Sequence, residues 1–271
     1  MVLVHDYEIK IKGVKRKVIY HLSDLHLATY DELSSTEEIE LAKKQTEGWD
    51  GVRRDFAKRF LEPYQENEQF SASEHFEALI KKATEDGDCL VFAGDIFDYI
   101  NDPQIRFFEK RIEKIKIPYI FAAGNHEETE KIKESSPLAK IKAPIQVLTI
   151  DDITIIALDN SKRVITREQI KEIEAYLQKD KKLIITMHTP IILENSREHK
   201  MCGEYFRLNH QGCPPENLEF LELLRNNDEK IIAVFAGHIH CLSKSPLTER
   251  LVEYTSSQGI LGNINRYVIG E

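Results

Sequence analysis

The sequence predicts an α/β protein with a substantial parallel sheet, because strand-length apolar runs alternate with segments of helical periodicity. Most of these runs are rich in β-branched or aromatic residues, as expected for strands that are buried on both faces. Each run stops abruptly at a polar residue. The five runs cover residues 18–22, 89–93, 118–123, 183–187 and 231–236.

Helical patterns lie between these strands. Two of the helices open with a capping box, formed by Ser71 with Glu74 and by Thr166 with Gln169. After the second box, apolar residues recur at helical spacing as far as Leu177. The predicted helices therefore run from 71 to about 85, over 103–115, from 166 through 177, and over 216–225.

Two further strands, 145–150 and 153–158, are predicted to form a hairpin, because the acidic pair Asp151-Asp152 separates them. No internal repeat, low-complexity tract or Pro/Gly/Ser-rich linker divides the sequence. We therefore expect a single domain over residues 1–271.

Residues 31–70 are predicted to form a helical insertion that contains the only tryptophan of the chain, Trp49. Apolar residues recur there every four positions, with charged residues on the other faces. The positions of this stripe are Val52, Phe56, Phe60 and Tyr64. Two interpretations stay open: a cap over the functional site, or a helix packed on the core.

Composition places the chain among ordinary globular proteins, with 41% hydrophobic and 31% charged residues and a net charge of −9. An acidic chain has no overall attraction for nucleic acid or anionic membranes. No apolar run reaches the roughly 18–20 residues that span a bilayer, and the first residues lack the apolar core of a signal peptide. Four cysteines without a dense framework fit a reducing compartment. We expect a cytoplasmic protein without membrane or nucleic-acid partners, and the oligomeric state stays open.

Polar side chains follow all five buried strands, at the point where each strand ends. In an open α/β sheet, ligands bind just beyond the carboxyl ends of the strands. Three glycines, Gly94, Gly124 and Gly237, directly precede such a residue, where glycine permits a sharp turn or a positive φ. The candidate metal donors at these ends are Asp24, His26, Asp95, Asn125, His188, His238 and His240.

The types of these residues favour a metal centre. Asp24 and His26 are two positions apart, so on an extended segment both can face one side, and His238 and His240 repeat the arrangement. Carboxylate, imidazole and amide donors suit Mn, Fe and Zn, and the absence of thiolate argues against a structural zinc cluster. Seven donors exceed the need of one tetrahedral ion and suit two ions that share a carboxylate.

Between about residues 18 and 241, the order of these motifs resembles that of the calcineurin-like metallophosphoesterase superfamily. The motifs are Asp24-x-His26, Gly94-Asp95-x-x-Asp98, Gly124-Asn125-His126-Glu127, His188 and Gly237-His238-x-His240. The resemblance implies a four-layer α/β/β/α sandwich with mixed sheets. It also implies two divalent or trivalent metal ions, of Mn, Fe or Zn.

The resemblance further implies a role for each residue. One ion would be held by Asp24, His26 and His240, the other by Asn125, His188 and His238, and both by Asp95. His126 would face the substrate and stabilise charge or protonate the leaving oxygen, and Asp98 would pair with it and raise its pKa. A hydroxide bridging the two ions would attack phosphorus.

The expected substrate is a small phosphomonoester or phosphodiester, with nucleotides and cyclic nucleotides among the candidates. Phosphoprotein phosphatases of the superfamily carry Arg-Gly after the last Asp of the second motif, where this chain has Tyr99-Ile100. A repair-type nuclease would bring a further DNA-contacting domain, for which the residues after Cys241 are too few. Two alternatives stay open: a catalytically silent binding or scaffold protein on the same fold, or a nuclease.

The segment 189–215 starts at a candidate ligand, so it is a candidate wall of the substrate pocket. It contains His-x-x-Cys twice, which leaves a structural zinc site open beside the preferred interpretation of an ordinary loop. Those residues are His199, Cys202, His210 and Cys213. Glu127 is expected to accept hydrogen bonds near the metals rather than bind them. Three histidines outside any motif are expected to be structural: His5, His21 and His75.

Overall fold

The computed structural model describes residues 2–65, 70–193, 196–203 and 206–271. The strands are β1 Leu3–Ile9, β2 Lys17–Leu22, β3 Cys89–Ala93, β4 Tyr119–Ala122, β5 Ile145–Ile150, β6 Ile153–Leu158, β7 Lys182–Thr186, β8 Ile231–Ala236, β9 Ser243–Pro246, β10 Val252–Thr255 and β11 Asn263–Ile269. The α-helices are α1 Thr36–Phe60, α2 Ala72–Asp86, α3 Asp102–Ile112, α4 Arg167–Leu177, α5 Arg197–Met201 and α6 Pro215–Asn226. Short 3-10 helices cover Thr129–Lys131, Pro137–Lys142 and Gly259–Leu261.

The strands form two mixed sheets. The first has the order β1-β11-β2-β3-β4 and the second the order β5-β6-β7-β8-β10-β9. In the first sheet β2, β3 and β4 run parallel, and in the second β6, β7, β8 and β10 do. The carboxyl ends of parallel strands meet at one edge of each sheet, which is where the candidate donors begin.

The two sheets face each other across an apolar core, and helices cover their outer faces. Ile19 and Val91 of the first sheet pack with Ile184 and Phe235 of the second. The outer core of the first sheet joins β3 to helices α2 and α3 through Phe92, Phe76 and Phe108. The outer core of the second joins β7 to α4 and α6 through Ile185, Ile173 and Phe220. The four-layer α/β/β/α prediction is confirmed.

The predicted capping boxes and the hairpin are confirmed. Ser71 and Glu74 satisfy each other's backbone N–H groups at the start of α2, and Thr166 and Gln169 do so at α4. Strands β5 and β6 pair antiparallel about the acidic turn. Strands β1, β9, β10 and β11 have no counterpart among the predicted strands.

Helix α1 of the insertion begins well before the first residue of the predicted apolar stripe, Val52, and ends before the last, Tyr64. Helix α1 opens with a capping box of Ser35 and Glu38 and ends at Phe60, because Leu61 adopts the left-handed conformation (φ 56°). Tyr64 therefore lies beyond the helix, and residues 66–69 of the predicted insertion lie outside the described residues. No helix within the described ranges is both long and apolar enough to span a bilayer.

Candidate metal centre

The candidate metal donors from both sheets meet at the carboxyl ends of their parallel strands. Asp24 and His26 follow β2, Asp95 follows β3, and Asn125 lies beyond β4. His188 follows β7, and His238 and His240 follow β8. Because the two sheets pack face to face, these five ends converge on one region. The structure brings all seven predicted donors together there.

The first cluster consists of Asp24, His26 and His240, whose ligand atoms all lie within 4.8 Å of one another. Nε2 of His26 and Nε2 of His240 are 3.3 Å apart. Oδ1 of Asp24 lies 3.3 Å from Nε2 of His240 and 3.9 Å from Nε2 of His26. Three donor atoms therefore point at one small volume.

The second cluster consists of Asp95, His188 and His238, with Asn125 beside it. Nε2 of His188 lies 3.1 Å from Oδ2 of Asp95 and 3.2 Å from Oδ1 of Asn125. The same Oδ2 of Asp95 lies 3.8 Å from Nε2 of His26 in the first cluster. Asp95 thus stands between the two clusters.

These spacings fit metal coordination. Nitrogen and oxygen ligands lie about 2.1 Å from Zn and similar ions, so two donors on one ion are about 3.0–3.4 Å apart. Donor pairs at 3.1–3.3 Å occur in both clusters. All seven donors are oxygen or imidazole nitrogen, as Mn, Fe and Zn prefer. The residues present therefore fit two ions that share Asp95.

The backbone around the clusters is held in an uncommon conformation. Five of the seven donors have a positive φ, namely Asp24 (55°), His26 (44°), Asp95 (51°), His238 (71°) and His240 (54°). Non-glycine residues in this region cost on the order of 1 kcal/mol or more each, and such strain clusters at functional sites. The strain turns these side chains away from the strand direction and into the shared site.

The three glycines serve this geometry in different ways. Gly94 has a positive φ of 86°, as predicted, and Gly124 and Gly237 do not. At Gly237 the requirement is space, because a Cβ there would lie 2.5 Å from Oγ of Ser23 and 2.8 Å from Oδ2 of Asp24. Of the two predicted alternatives, a sharp turn or a positive φ, the positive φ therefore applies to Gly94 and not to Gly124 or Gly237.

Hydrogen bonds from outside the clusters orient the ligands. Nδ1 of His188 lies 2.7 Å from the carbonyl oxygen of Ala93, so donation to this carbonyl leaves Nε2 free for the cluster. Glu127 accepts the backbone N–H groups of Asp95 (2.9 Å) and Ile96 (2.7 Å). Glu127 therefore accepts hydrogen bonds beside the clusters, as predicted.

His126 lies beside the clusters and opens onto solvent, with 28% of its side chain exposed. Its Nδ1 is 2.9 Å from the backbone oxygen of Asp98 and 3.4 Å from Oδ1 of the same residue. Burial disfavours the charged ring, but Asp98 and the carboxylate of Asp95 outweigh it and raise the pKa of His126 to about 9. Oδ1 of Asp98 also lies 3.3 Å from Nδ1 of His26.

A cavity of about 340 Å³ opens above the clusters, and α1 forms part of its lining. Of the two interpretations of the insertion, this geometry favours the cap. Arg53 of α1 reaches the centre, where Nη1 lies 2.9 Å from Nδ1 of His240. The apolar stripe did not predict Arg53, although this residue stands one helical turn from both Trp49 and Ala57, on the buried side of the helix.

The remaining candidates do not form a second site among the described residues. His199, Cys202, His210 and Cys213 form no common cluster within the described part of the chain, and Nη1 of Arg207 lies 3.0 Å from Nδ1 of His199. Met201, Cys202 and Phe206 instead line the cavity, as expected for segment 189–215, although residues 194–195 and 204–205 lie outside the described ranges. The three histidines outside any motif each contact a polar group elsewhere in the fold: Asn263 for His5, Tyr267 for His21 and the carbonyl oxygen of Ile260 for His75.

Comparison with known proteins agrees with this geometry. A curated relative, the probable glycerophosphodiester phosphodiesterase GpdQ of Arcobacter nitrofigilis, is 25% identical over an alignment of 189 positions that covers 63% of this chain. The match spans 62% of that relative's length. The crystal structure of a dimetal phosphatase from Danio rerio has a TM-score of 0.56 at 13% identity, covering 90% of this chain and 88% of that one.

A phosphopantetheinyl hydrolase from Mycobacterium tuberculosis has a TM-score of 0.44 at 12% identity, over 89% of this chain and 90% of that one. The likeness to the dimetal phosphatase concerns the fold alone. The family model for calcineurin-like phosphoesterases matches residues 17–242, which include all seven metal donors, His126 and Asp98. The chain therefore belongs to the calcineurin-like phosphoesterase family.

Proposed function

We propose that this protein hydrolyses a small phosphoester at a centre of two metal ions. The observation that carries the proposal is the position of Asp95, whose Oδ2 lies 3.1 Å from His188 in one cluster and 3.8 Å from His26 in the other. A carboxylate between two sets of donors is what a pair of ions sharing one ligand requires.

Each cluster would hold one ion of Mn, Fe or Zn. Asp24, His26 and His240 would hold the first, Asn125, His188 and His238 the second, and Asp95 both. When bound, such ions offset the charge of the phosphate oxygens and lower the pKa of water. The overall reaction adds water to phosphorus and breaks the phosphorus–oxygen ester bond, and the alcohol leaves with a proton.

His126 is the group proposed to supply that proton. Its ring lines the cavity, and its raised pKa keeps it protonated at neutral pH. Asp98 holds Nδ1 of His126 through its backbone oxygen and carboxylate. The other ring nitrogen, Nε2, is thereby left to face the leaving oxygen of the ester, as a general acid requires.

The size of the cavity and one relative support a small substrate. A volume of about 340 Å³ lies at the low end of ligand pockets, which span about 300–1,000 Å³. The relative named as a probable glycerophosphodiester phosphodiesterase favours a diester, although a monoester fits the same donors. A net charge of −9 opposes binding of nucleic acid.

We also propose a cytoplasmic location. All four cysteines are free thiols, and Cys89 and Cys241 are buried. Unpaired thiols in this number suit a reducing compartment better than an oxidising one.

The test is turnover of p-nitrophenyl phosphate and bis-p-nitrophenyl phosphate by protein loaded with Mn²⁺ or Zn²⁺. We expect hydrolysis of at least one ester and loss of both activity and one bound ion in Asp95→Asn. The exposed Asp180→Asn is the matched control and should change neither. A wild-type protein that binds two ions and hydrolyses neither ester would favour the silent scaffold instead.

A further inference from the structure

The cavity above the metal clusters has apolar and aromatic walls. Helix α1 contributes Trp49, Val52 and Phe56, and the segment after β7 contributes Met201 and Phe206. Val52 is 56% exposed and Phe206 45% exposed, so large apolar side chains face solvent beside a cluster of charges. An open apolar surface next to a few convergent polar groups is the usual composition of a ligand pocket.

The aromatic walls stand next to the metal clusters. The ring centroid of Trp49 lies 6.5 Å from that of His126, and Phe56 lies 6.2 Å from His240. Phe206 lies 5.5 Å from His238. If the phosphate of a substrate is bound by the metal ions, the first few atoms of its alcohol moiety therefore lie against these rings.

Arg53 contacts Trp49 and holds its ring in place in the cavity wall. The guanidinium carbon of Arg53 lies 4.8 Å from the centroid of the Trp49 ring, a cation–π contact. The residue is 3% exposed, and its Nε has no hydrogen-bond partner among the described residues. Arg53 thus orients Trp49 and brings a positive charge to the boundary between the metal clusters and the apolar wall.

We propose that the alcohol moiety esterified to the phosphate of the substrate carries a planar aromatic ring, and that this ring binds against Trp49 and Phe56 of α1. This proposal rests on the proposed phosphoester hydrolysis and adds the chemical class of the substrate. The cavity of about 340 Å³ has room for one ring together with a phosphate. An aromatic ring gains from offset-stacked or edge-to-face contact with aromatic walls, which an alkyl chain of similar area does not.

The kinetic test compares esters that differ only in the ring. Benzyl phosphate and butyl phosphate have leaving alcohols of similar acidity, and methyl benzyl phosphate and methyl butyl phosphate form the corresponding diester pair. We expect kcat/KM to favour the benzyl ester about 5- to 10-fold in the pair that is hydrolysed. Trp49→Leu and Phe56→Leu should each reduce this ratio severalfold, and Tyr176→Leu on α4 should not.

The outcomes separate this proposal from the one on which it rests. Equal rates for benzyl and butyl esters would overturn the aromatic substrate and leave phosphoester hydrolysis standing. A metal-loaded protein that hydrolyses none of the four esters would contradict the hydrolase function itself.

A binding measurement tests the ring site without turnover. Trp49 is the only tryptophan of the chain, so its fluorescence reports on this wall. In Zn²⁺-loaded protein, benzylphosphonate should bind about fivefold more tightly than butylphosphonate and should change the emission of Trp49. Phe56→Leu should weaken binding of the benzyl compound alone. Equal affinities, or an emission unchanged by saturating benzylphosphonate, would overturn the proposal.

Discussion

Nη1 of Arg53 lies 2.9 Å from Nδ1 of His240, so a cation of helix α1 contacts a residue of the first metal cluster. Burial lowers the pKa of Arg53 to about 10, and the side chain is still charged at neutral pH. A fixed positive charge at this point repels a metal ion and attracts the phosphate of a substrate. One residue therefore acts on the two ligands of the site in opposite directions.

Replacing Arg53 should separate these two effects. In Arg53→Met we expect the metal ions to bind roughly tenfold more tightly, because the repulsion is removed, and inorganic phosphate to bind roughly tenfold more weakly. Isothermal titration with Zn²⁺ and then with phosphate measures both. The neighbouring Arg54→Met is the control, because Arg54 is paired with Asp50 on the same helix. Changes of the same sign in both affinities would contradict the prediction.

The proposed acid role of His126 predicts a dependence on the leaving group. A general acid contributes about 10²–10⁴-fold when the leaving alcohol is poor, and little when it leaves without a proton. His126→Ala should therefore lower kcat at least 100-fold for an alkyl ester and less than about tenfold for a p-nitrophenyl ester. Equal losses for both esters would assign His126 to binding rather than proton transfer.

The same proposed role predicts that His126 limits activity at alkaline pH. An acid must be protonated, so the rate should fall as pH rises through the pKa of His126, which is about 9 without metal ions. Bound cations disfavour the imidazolium, so we expect the alkaline limb of the pH–rate profile at or below this pKa. Asp98→Asn removes the carboxylate that raises this pKa and should move the limb to lower pH, as a kcat profile between pH 6 and 10 would reveal.

Metal binding should release protons. Burial alone would lower the pKa of His188, but Asp95 and Asp24 raise it to about 10 in the metal-free protein, so the ring is protonated at neutral pH. An ion at Nε2 replaces that proton. We expect release of about one proton at pH 7.5, seen as a buffer-dependent enthalpy of Zn²⁺ binding, and affinity that rises with pH up to about 10. An enthalpy independent of the buffer would show that His188 is already neutral.

Much of the site could be predicted from the sequence, because each donor lies within four residues of the end of a run that forms a buried strand. The motif at Asp24 follows β2 and that at His238 follows β8, so the packing of the two sheets alone brings them together. Arg53 escaped prediction because the signal for a helix is its apolar stripe, and a buried cation on that helix has no such pattern. Its role depends on where α1 lies against His240, which sequence periodicity does not specify.

Strand β11 was missed for a related reason. It lies inside the first sheet, between β1 and β2, yet its buried positions include Asn263 and Asn265, which break the apolar run that identifies an interior strand. Asn263 is satisfied by distant partners, with Oδ1 2.8 Å from Nε2 of His5 and Nδ2 3.1 Å from the carbonyl oxygen of Pro63. Such pairings between residues about 200 or more positions apart are tertiary, so local pattern could not reveal them.

Gly237 offers the sharpest steric test of the metal centre. A Cβ at this position would lie 2.5 Å from Oγ of Ser23 and 2.8 Å from Oδ2 of Asp24, so one of these groups must move. In Gly237→Ala we expect Asp24 to be displaced and the metal content to fall from two ions per chain toward one, with a loss of activity of at least tenfold. Gly48→Ala on α1 is the matched control, because a Cβ there meets nothing within 4 Å, and alanine favours a helix by about 1 kcal/mol. Elemental analysis of the purified proteins gives the ion count, and two retained ions in Gly237→Ala would contradict the steric argument.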